Sequence, residues 1–215
     1  METKVKILLL AVVVFALVAG SAQATIVTIA LTGEVTYLRD PDNLLGGQIN
    51  IGDVITGSYT YDTSTPDTNP RSGVGDYWYS TAPYGINLSV GDIVFQTDPE
   101  NVDFLVEIVN DYTGGDTYLL ASYANLPLVS GIPVQHISWQ LDDFSQTAVS
   151  STRLENRPPD IEDWQSIFGL SIELGEKGGA LIRGTVTGLS LIPEPMTVFP
   201  LTLGALILLK KRKAS

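Results

Sequence analysis

The chain has 215 residues, 44% of them hydrophobic, with 24 acidic against 12 basic side chains and a formal net charge of −12. It has no cysteine, which excludes disulfides, thiol catalysis, Cys-ligated zinc and iron–sulfur clusters. Its acidic bias repels nucleic acid and anionic lipid, so neither is an expected partner.

At the N-terminus, Lys4 and Lys6 precede an apolar run from Ile7 to Ala19, and the small-residue stretch Gly20 to Ala24 closes it. That is the layout of a secretory signal peptide, residues 1–24, with an A-x-A site at Ala22 and Ala24 and cleavage by signal peptidase expected after Ala24. The run is shorter than the ~20 residues a spanning helix needs, which favours a cleaved signal helix over an anchor.

Residues 25–191 read as one domain, large enough for a core without disulfide support. They hold six Lys/Arg against 22 Asp/Glu, a net charge of −16. Thr, Val, Ile and Tyr alternate with polar residues, and Gly, Asp, Asn and Pro punctuate the runs. Strands are predicted at Ile26 to Leu38, Asp53 to Asp62, Tyr77 to Ser80, Gly85 to Val90, Asp92 to Gln96, Phe104 to Asn110, Tyr118 to Tyr123, Val134 to Leu141, Phe168 to Leu174 and Ala180 to Leu191. About ten short strands and no long helix predict an all-β, antiparallel β-sandwich of jelly-roll-like type. Val90-Gly91-Asp92 and Asp111 to Asp116 read as hairpin connections. After Pro158-Pro159, Glu162 to Ser166 reads as one helical turn with its acids at the favourable end. Thr32-Gly33-Glu34-Val35-Thr36, Thr56-Gly57-Ser58-Tyr59-Thr60 and Arg183-Gly184-Thr185-Val186-Thr187 share a theme without a fixed period, and read as strands with similar bulge needs.

The tail, residues 192–215, opens with Ile192-Pro193-Glu194-Pro195, in which the two prolines hold Glu194 in an extended backbone. A largely apolar run from Met196 to Leu209 follows, ended by Lys210, Lys211, Arg212 and Lys213. A basic cluster after an apolar run stays cytoplasmic and halts export, so a short C-terminal transmembrane helix is expected, thinner than the ~30 Å hydrocarbon core and helped by snorkelling lysines.

Pro193-Glu194-Pro195, the apolar segment and the basic end, behind a signal peptide, together resemble the PEP-CTERM sorting tail. The run is broken by Pro200 and the basic end is richer in lysine than is usual in that family. The resemblance implies recognition by an exosortase-like processing enzyme in an exopolysaccharide-producing Gram-negative bacterium, with inner-membrane anchoring followed by transfer to the cell surface. The segment Ile51-Gly52-Asp53-Val54-Ile55-Thr56-Gly57-Ser58-Tyr59-Thr60-Tyr61-Asp62-Thr63-Ser64-Thr65-Pro66-Asp67 is similar to a strand and loop recurring in such surface proteins.

His136 is the single histidine, set in a strand pattern among Val134, Ile137 and Trp139, which leaves imidazole-based catalysis little to work with. The acid pairs Asp142-Asp143 and Glu162-Asp163 are of the type glycoside hydrolysis uses, but read as solvated loop acids. Loops at Asp40-Pro41-Asp42-Asn43, Asp98-Pro99-Glu100-Asn101 and Asp111 to Asp116 offer oxygen ligands for a structural Ca²⁺, without a helix–loop calcium pattern. No cofactor and no catalytic residue is assigned. Tyr77, Trp78 and Tyr79, with Tyr84 near, form the main aromatic cluster. On a strand Trp78 points opposite to the two tyrosines, so one face packs the core and the other is a candidate glycan-stacking surface. The sequence reads as an exported, non-enzymatic surface or matrix protein, structural or adhesive and associated with exopolysaccharide. A carbohydrate-binding module is the alternative and a glycan hydrolase the weaker one.

Overall fold

The computed structural model describes residues 26–112, 114–165, 169–176 and 179–193. The expected signal helix with Ala22 and Ala24, and the expected membrane segment with Glu194, Pro195, Lys210, Lys211, Arg212 and Lys213, lie outside the described residues. Among those described, no helix is long and apolar enough to cross a membrane.

Ten strands follow one another: β1 (Ile26–Arg39), β2 (Val54–Asp62), β3 (Val74–Tyr79), β4 (Gly85–Val90), β5 (Ile93–Gln96), β6 (Phe104–Tyr112), β7 (Gly115–Ser122), β8 (Val134–Asp143), β9 (Leu170–Leu174) and β10 (Leu181–Ile192). Most match runs rich in β-branched, aliphatic and aromatic residues, whose successive side chains fall on opposite faces by the two-residue period of a strand. Among the described residues the helical element is a single 3₁₀ turn, Ile161–Asp163, capped by Asp160, which accepts from the Glu162 N–H.

Every pairing is antiparallel, and the strands form one sheet in the order β3-β6-β7-β8-β9-β10-β1-β2-β4-β5. Hydrogen bonding runs unbroken through all ten strands, where the sandwich expectation has two separate sheets. This one sheet curls. Tyr59 on β2 lies four strand spacings from Trp139 on β8, which would be about 19 Å in a flat sheet, yet their ring centroids are 6.1 Å apart. Tyr118 on β7 donates to the Tyr59 hydroxyl at 3.3 Å. Beyond β5, Thr97 bridges Asn125, and its hydroxyl meets that of Ser122 at 2.8 Å, so the last strand returns to the end of β7.

The inner face is the core, with Ile29, Leu31, Ile55, Tyr59, Phe95, Phe104, Leu120, Ile137 and Trp139 fully buried. The shared glycine theme falls on three neighbouring strands. Gly33, Gly57 and Gly184 occupy inward positions on the adjacent strands β1, β2 and β10. A methyl group on Gly33 would lie 2.6 Å from the Thr185 carbonyl oxygen, and one on Gly184 2.8 Å from that of Glu34. The pairing of β1 with β10 shifts register at Thr32/Gly33, the local kink that lets a sheet turn back on itself.

Hairpin chemistry is as the sequence predicts. Gly91, at φ +56°, holds the first of the two loop positions between Val90 and Ile93, where a left-handed conformation matches strand twist.

Candidate functional site

The acidic loops use their carboxylates on their own backbone. Asp40 accepts from the N–H groups of Leu44 and Leu45, Asp98 from Glu100, and Asp116 from Asp111 and Val149. Side chains committed to local turns have fewer lone pairs free for a cation. Among the described residues, no three His, Asp or Glu side chains converge in a metal-holding group.

Asp142 and Asp143 correct the reading of solvated loop acids. They end β8 and are 7% and 0% exposed. Asp143 accepts from the backbone N–H of Ser145, Thr147 and Ala148 and from the hydroxyls of Ser145 and Thr147. Asp142 accepts from Thr117 Oγ1 and Gln140 Nε2. The Ser145 hydroxyl and the neighbouring donors hold the Asp143 carboxyl well below the usual carboxylate range. A carboxylate whose pKa is depressed by folding contributes stability above its unfolded value, about 3.9, and loses it as pH falls toward the folded value. Asp143→Asn is therefore expected to melt below the parent at pH 7, with the gap closing under acid. Thermal melts across pH check this, and a gap that persists unchanged into strong acid counts against it. Glu162 and Asp163, by contrast, are exposed in the 3₁₀ turn.

Strand β3 divides the aromatic cluster. Tyr77 and Tyr79 are 5% and 4% exposed and face inward, their hydroxyls donating to the carbonyls of Thr152 and Asp62. Burial, the largest cause, raises the pKa of both, that of Tyr79 to about 12. Trp78 is on the outer face, 44% exposed. Its ring stacks on Tyr123, with centroids 5.9 Å apart and planes 28° apart, and Tyr123 stacks in turn on His136 at 5.0 Å and 25°. The result is a ladder of three near-parallel rings across the outer face, from edge strand β3 past the end of β7 to β8. It covers Leu105 and Ala121, which face outward between them yet are nearly inaccessible.

His136 Nε2 is buried without a hydrogen-bond partner among the described residues. Burial lowers the pKa of the ring more than Glu173, opposite on β9, raises it, so the ring is neutral at neutral pH. One row along, Asp76 on β3 stands directly opposite Glu107 on β6. Asn69 Nδ2 donates to Asp76 Oδ2 at 2.9 Å, and Asp76 Oδ1 is buried. Desolvation first, then the hydrogen bond and charge of Asp76, push the Glu107 carboxyl up. Tyr123 is pushed up by desolvation and then by Glu107 and Asp103.

No protein-family model matches this chain, and no curated protein matches it. The site therefore rests on its own geometry: stacked rings, of which Trp78 and Tyr123 are exposed, beside a pair of facing carboxylates on the outer surface of the curled sheet.

Tyr123, Asp76 and Glu107 escaped the sequence reading. Tyr123 continues the alternation of its strand by one residue, a visible signal, but its pairing with Trp78 depends on strand order. Pro193 follows β10 directly and is exposed.

Two of the concavities elsewhere on the described residues are lined in part by aromatic or exposed apolar side chains. One, of 260 Å³, is lined by Tyr61 and Tyr118 and by residues of the segment 147–164, Arg153, Arg157 and Trp164 among them. Arg157 is paired with Glu155 there. The other, of 440 Å³, lies between the loop at Leu44, edge strand β5 and the loop carrying the fully exposed Val129.

Proposed function

We propose that the chain is an exported cell-surface or extracellular-matrix protein, sorted by an exosortase-like enzyme and adhering to exopolysaccharide through the outer face of its β domain. The observation that carries the adhesive half is the Trp78–Tyr123–His136 ladder. The exposed rings of Trp78 and Tyr123, nearly parallel and held by a sheet, offer apolar surface to the C–H faces of pyranose rings at little entropic cost. The domain is read as a binding module and scaffold, not an enzyme. Supporting the sorting half is the order of signal peptide, Pro193-Glu194-Pro195, apolar run and basic end in the sequence. The paired part of β10 stops at Ile192, so the tripeptide begins on the residue after the last sheet pairing. In architecture, we read the facing halves of the curled sheet as the two leaves of a jelly-roll-like sandwich, a reading supported by the contact of Tyr59 with Trp139.

Trp78→Ala is expected to weaken retention on the host's own exopolysaccharide about tenfold, the scale of one aromatic stacking contact. Pull-down with the purified polysaccharide measures it, and unchanged retention would sink the adhesive reading. Glu194→Ala is expected to leave the protein in the inner membrane. Fractionation that finds the variant at the surface as abundantly as the parent would reduce the tail to an anchor.

A further inference from the structure

The two edges of the sheet are finished differently. Edge strand β3 carries Asp76, whose carbonyl accepts from the Thr68 N–H and whose own N–H donates to the Asp67 carboxylate, so the adjoining loop covers it. Edge strand β5, Ile93–Gln96, has no charged residue, no proline and no bulge in its pairing with β4, the devices that keep an exposed edge from meeting another chain. The Thr97 N–H donates to the Ile86 carbonyl of β4, and the Leu126 N–H to the Gln96 carbonyl. Odd residues of β5 therefore bond to β4, and even ones turn their backbone outward. Leu126 covers Gln96, whereas among the described residues no backbone bond reaches the outward N–H and C=O of Val94, whose side chain is 47% exposed. Val94 borders the 440 Å³ concavity, with Leu44, Ile93 and Leu128 also in its wall. On the same rim stands Val129, fully exposed at the tip of a turn closed by Leu128 N–H to Ile132 C=O and Gly131 N–H to Leu128 C=O. An apolar knob and a hollow thus share one surface, both fixed by hydrogen-bonded backbone.

We propose that this face is where two copies of the chain meet, packed about a two-fold axis with the Val129 of each seated in the concavity of the other. A knob and a hollow on one surface are self-complementary, the condition of an isologous interface. Charge points to the same occupant. Among the residues lining the concavity Asp92 alone is charged, on a domain with six basic and 22 acidic side chains. A cationic partner is drawn to the acids elsewhere, and an anionic one finds no cation here. Two copies of so acidic a chain can touch only where neither carries much charge. Repulsion between the rest of their surfaces is screened within about 8 Å at physiological ionic strength, so the contact itself decides. The covered β3 edge offers β5 no strand to pair with, which favours a closed pair over an open filament. The inference stands apart from the glycan reading, and it adds to it: a pair carries two Trp78 surfaces and grips a polymer with avidity.

The test is sedimentation of the full chain in a density-matched mild detergent over a range of concentrations. The parent is expected to dimerise reversibly, and more tightly as salt rises, because salt screens the acidic repulsion and leaves apolar contact intact. Val129→Asp and Val94→Lys are each expected to weaken the dimer at least about tenfold by setting a charge against apolar surface. Both side chains are exposed, so each variant is expected to melt with the parent, and lost pairing is not lost folding. Mixed in equal amounts, the two variants are expected to regain association. The intact valine knob of one then fits the intact hollow of the other, and the introduced acid meets the introduced amine. A parent that stays monomeric throughout overturns the inference. Association that survives both substitutions lies in the tail or on another face, and loss without rescue on mixing shows that the two positions do not meet; either result overturns it. A dimer that weakens as salt rises is held by ion pairs and overturns it as well. Retention on exopolysaccharide is read separately through Trp78, so failure of the pairing leaves the glycan reading where it stood.

Discussion

Replacing Trp139 by alanine is expected to cost the domain about 3–5 kcal/mol, the usual penalty for emptying a buried aromatic site. In a domain of this size that is a fall in Tm of roughly 6–20 °C. The indole is fully buried and touches both sides of the core, Tyr59 on β2 at 6.1 Å and Tyr118 on its own side at 5.8 Å and 64°. Its loss therefore removes a contact between the two halves of the curled sheet as well as local packing. The donor at Nε1 has no partner among the described residues, so Trp139→Phe keeps most of the ring volume and removes an unsatisfied polar atom. The phenylalanine variant is expected to lose much less than the alanine one. Thermal or denaturant unfolding of both variants checks the pair, and equal losses would show that the contact across the core is not where the stability resides.

Strand positions were readable because each strand carries its own signal: alternation decides the face, and Gly, Asp and Pro decide the ends. The expectation of ten strands survives in the structure with ends displaced by a few residues, as with Tyr77 to Ser80 against β3 at Val74–Tyr79. The missed residues Val74, Gly75 and Asp76 carry a glycine and an acid, which dilute a propensity signal. Sheet order was not readable. The chain runs from β2 to β3 at one edge of the sheet and returns to β4 beside β2, a path set by which inner faces fit together. For the same reason the sequence shows Trp78 and His136 but not that Tyr123 lies between them. Asp143 was misread because five donors on residues 145–148 fold back on it. Sequence proximity to a turn suggests a solvated acid, whereas the turn is wrapped around the carboxylate.

Gly57→Ala tests whether the sheet's curl is built on close backbone approach. Gly57 faces inward on β2, between Leu31 of β1 and Leu88 of β4. A Cβ there falls on the Asn87 carbonyl oxygen and lies 2.8 Å from Leu88 Cα and 2.9 Å from Leu88 Cδ2. The first two obstacles are backbone within a hydrogen-bonded ladder, so relief requires the strands to separate, and the expected cost is roughly 3 kcal/mol, the upper end of overpacking penalties. Gly47 is the comparison site: it sits at φ +70° with nothing within 4 Å of its Cβ position, so Gly47→Ala meets only backbone strain of about 1–2 kcal/mol. Denaturant midpoints of the two variants against the parent decide the matter. If Gly57→Ala costs no more than Gly47→Ala, the glycine theme shared by β1, β2 and β10 is not a steric crease. A larger loss at Gly57, without a fall in the denaturant m-value, places the obstruction in the folded sheet rather than in the unfolded chain. The same argument extends to Gly33 and Gly184, whose Cβ positions meet backbone on the neighbouring strand. The curl that sets Tyr59 against Trp139, with Trp78, Tyr123 and His136 on the opposite face, then depends on a few positions where no side chain fits.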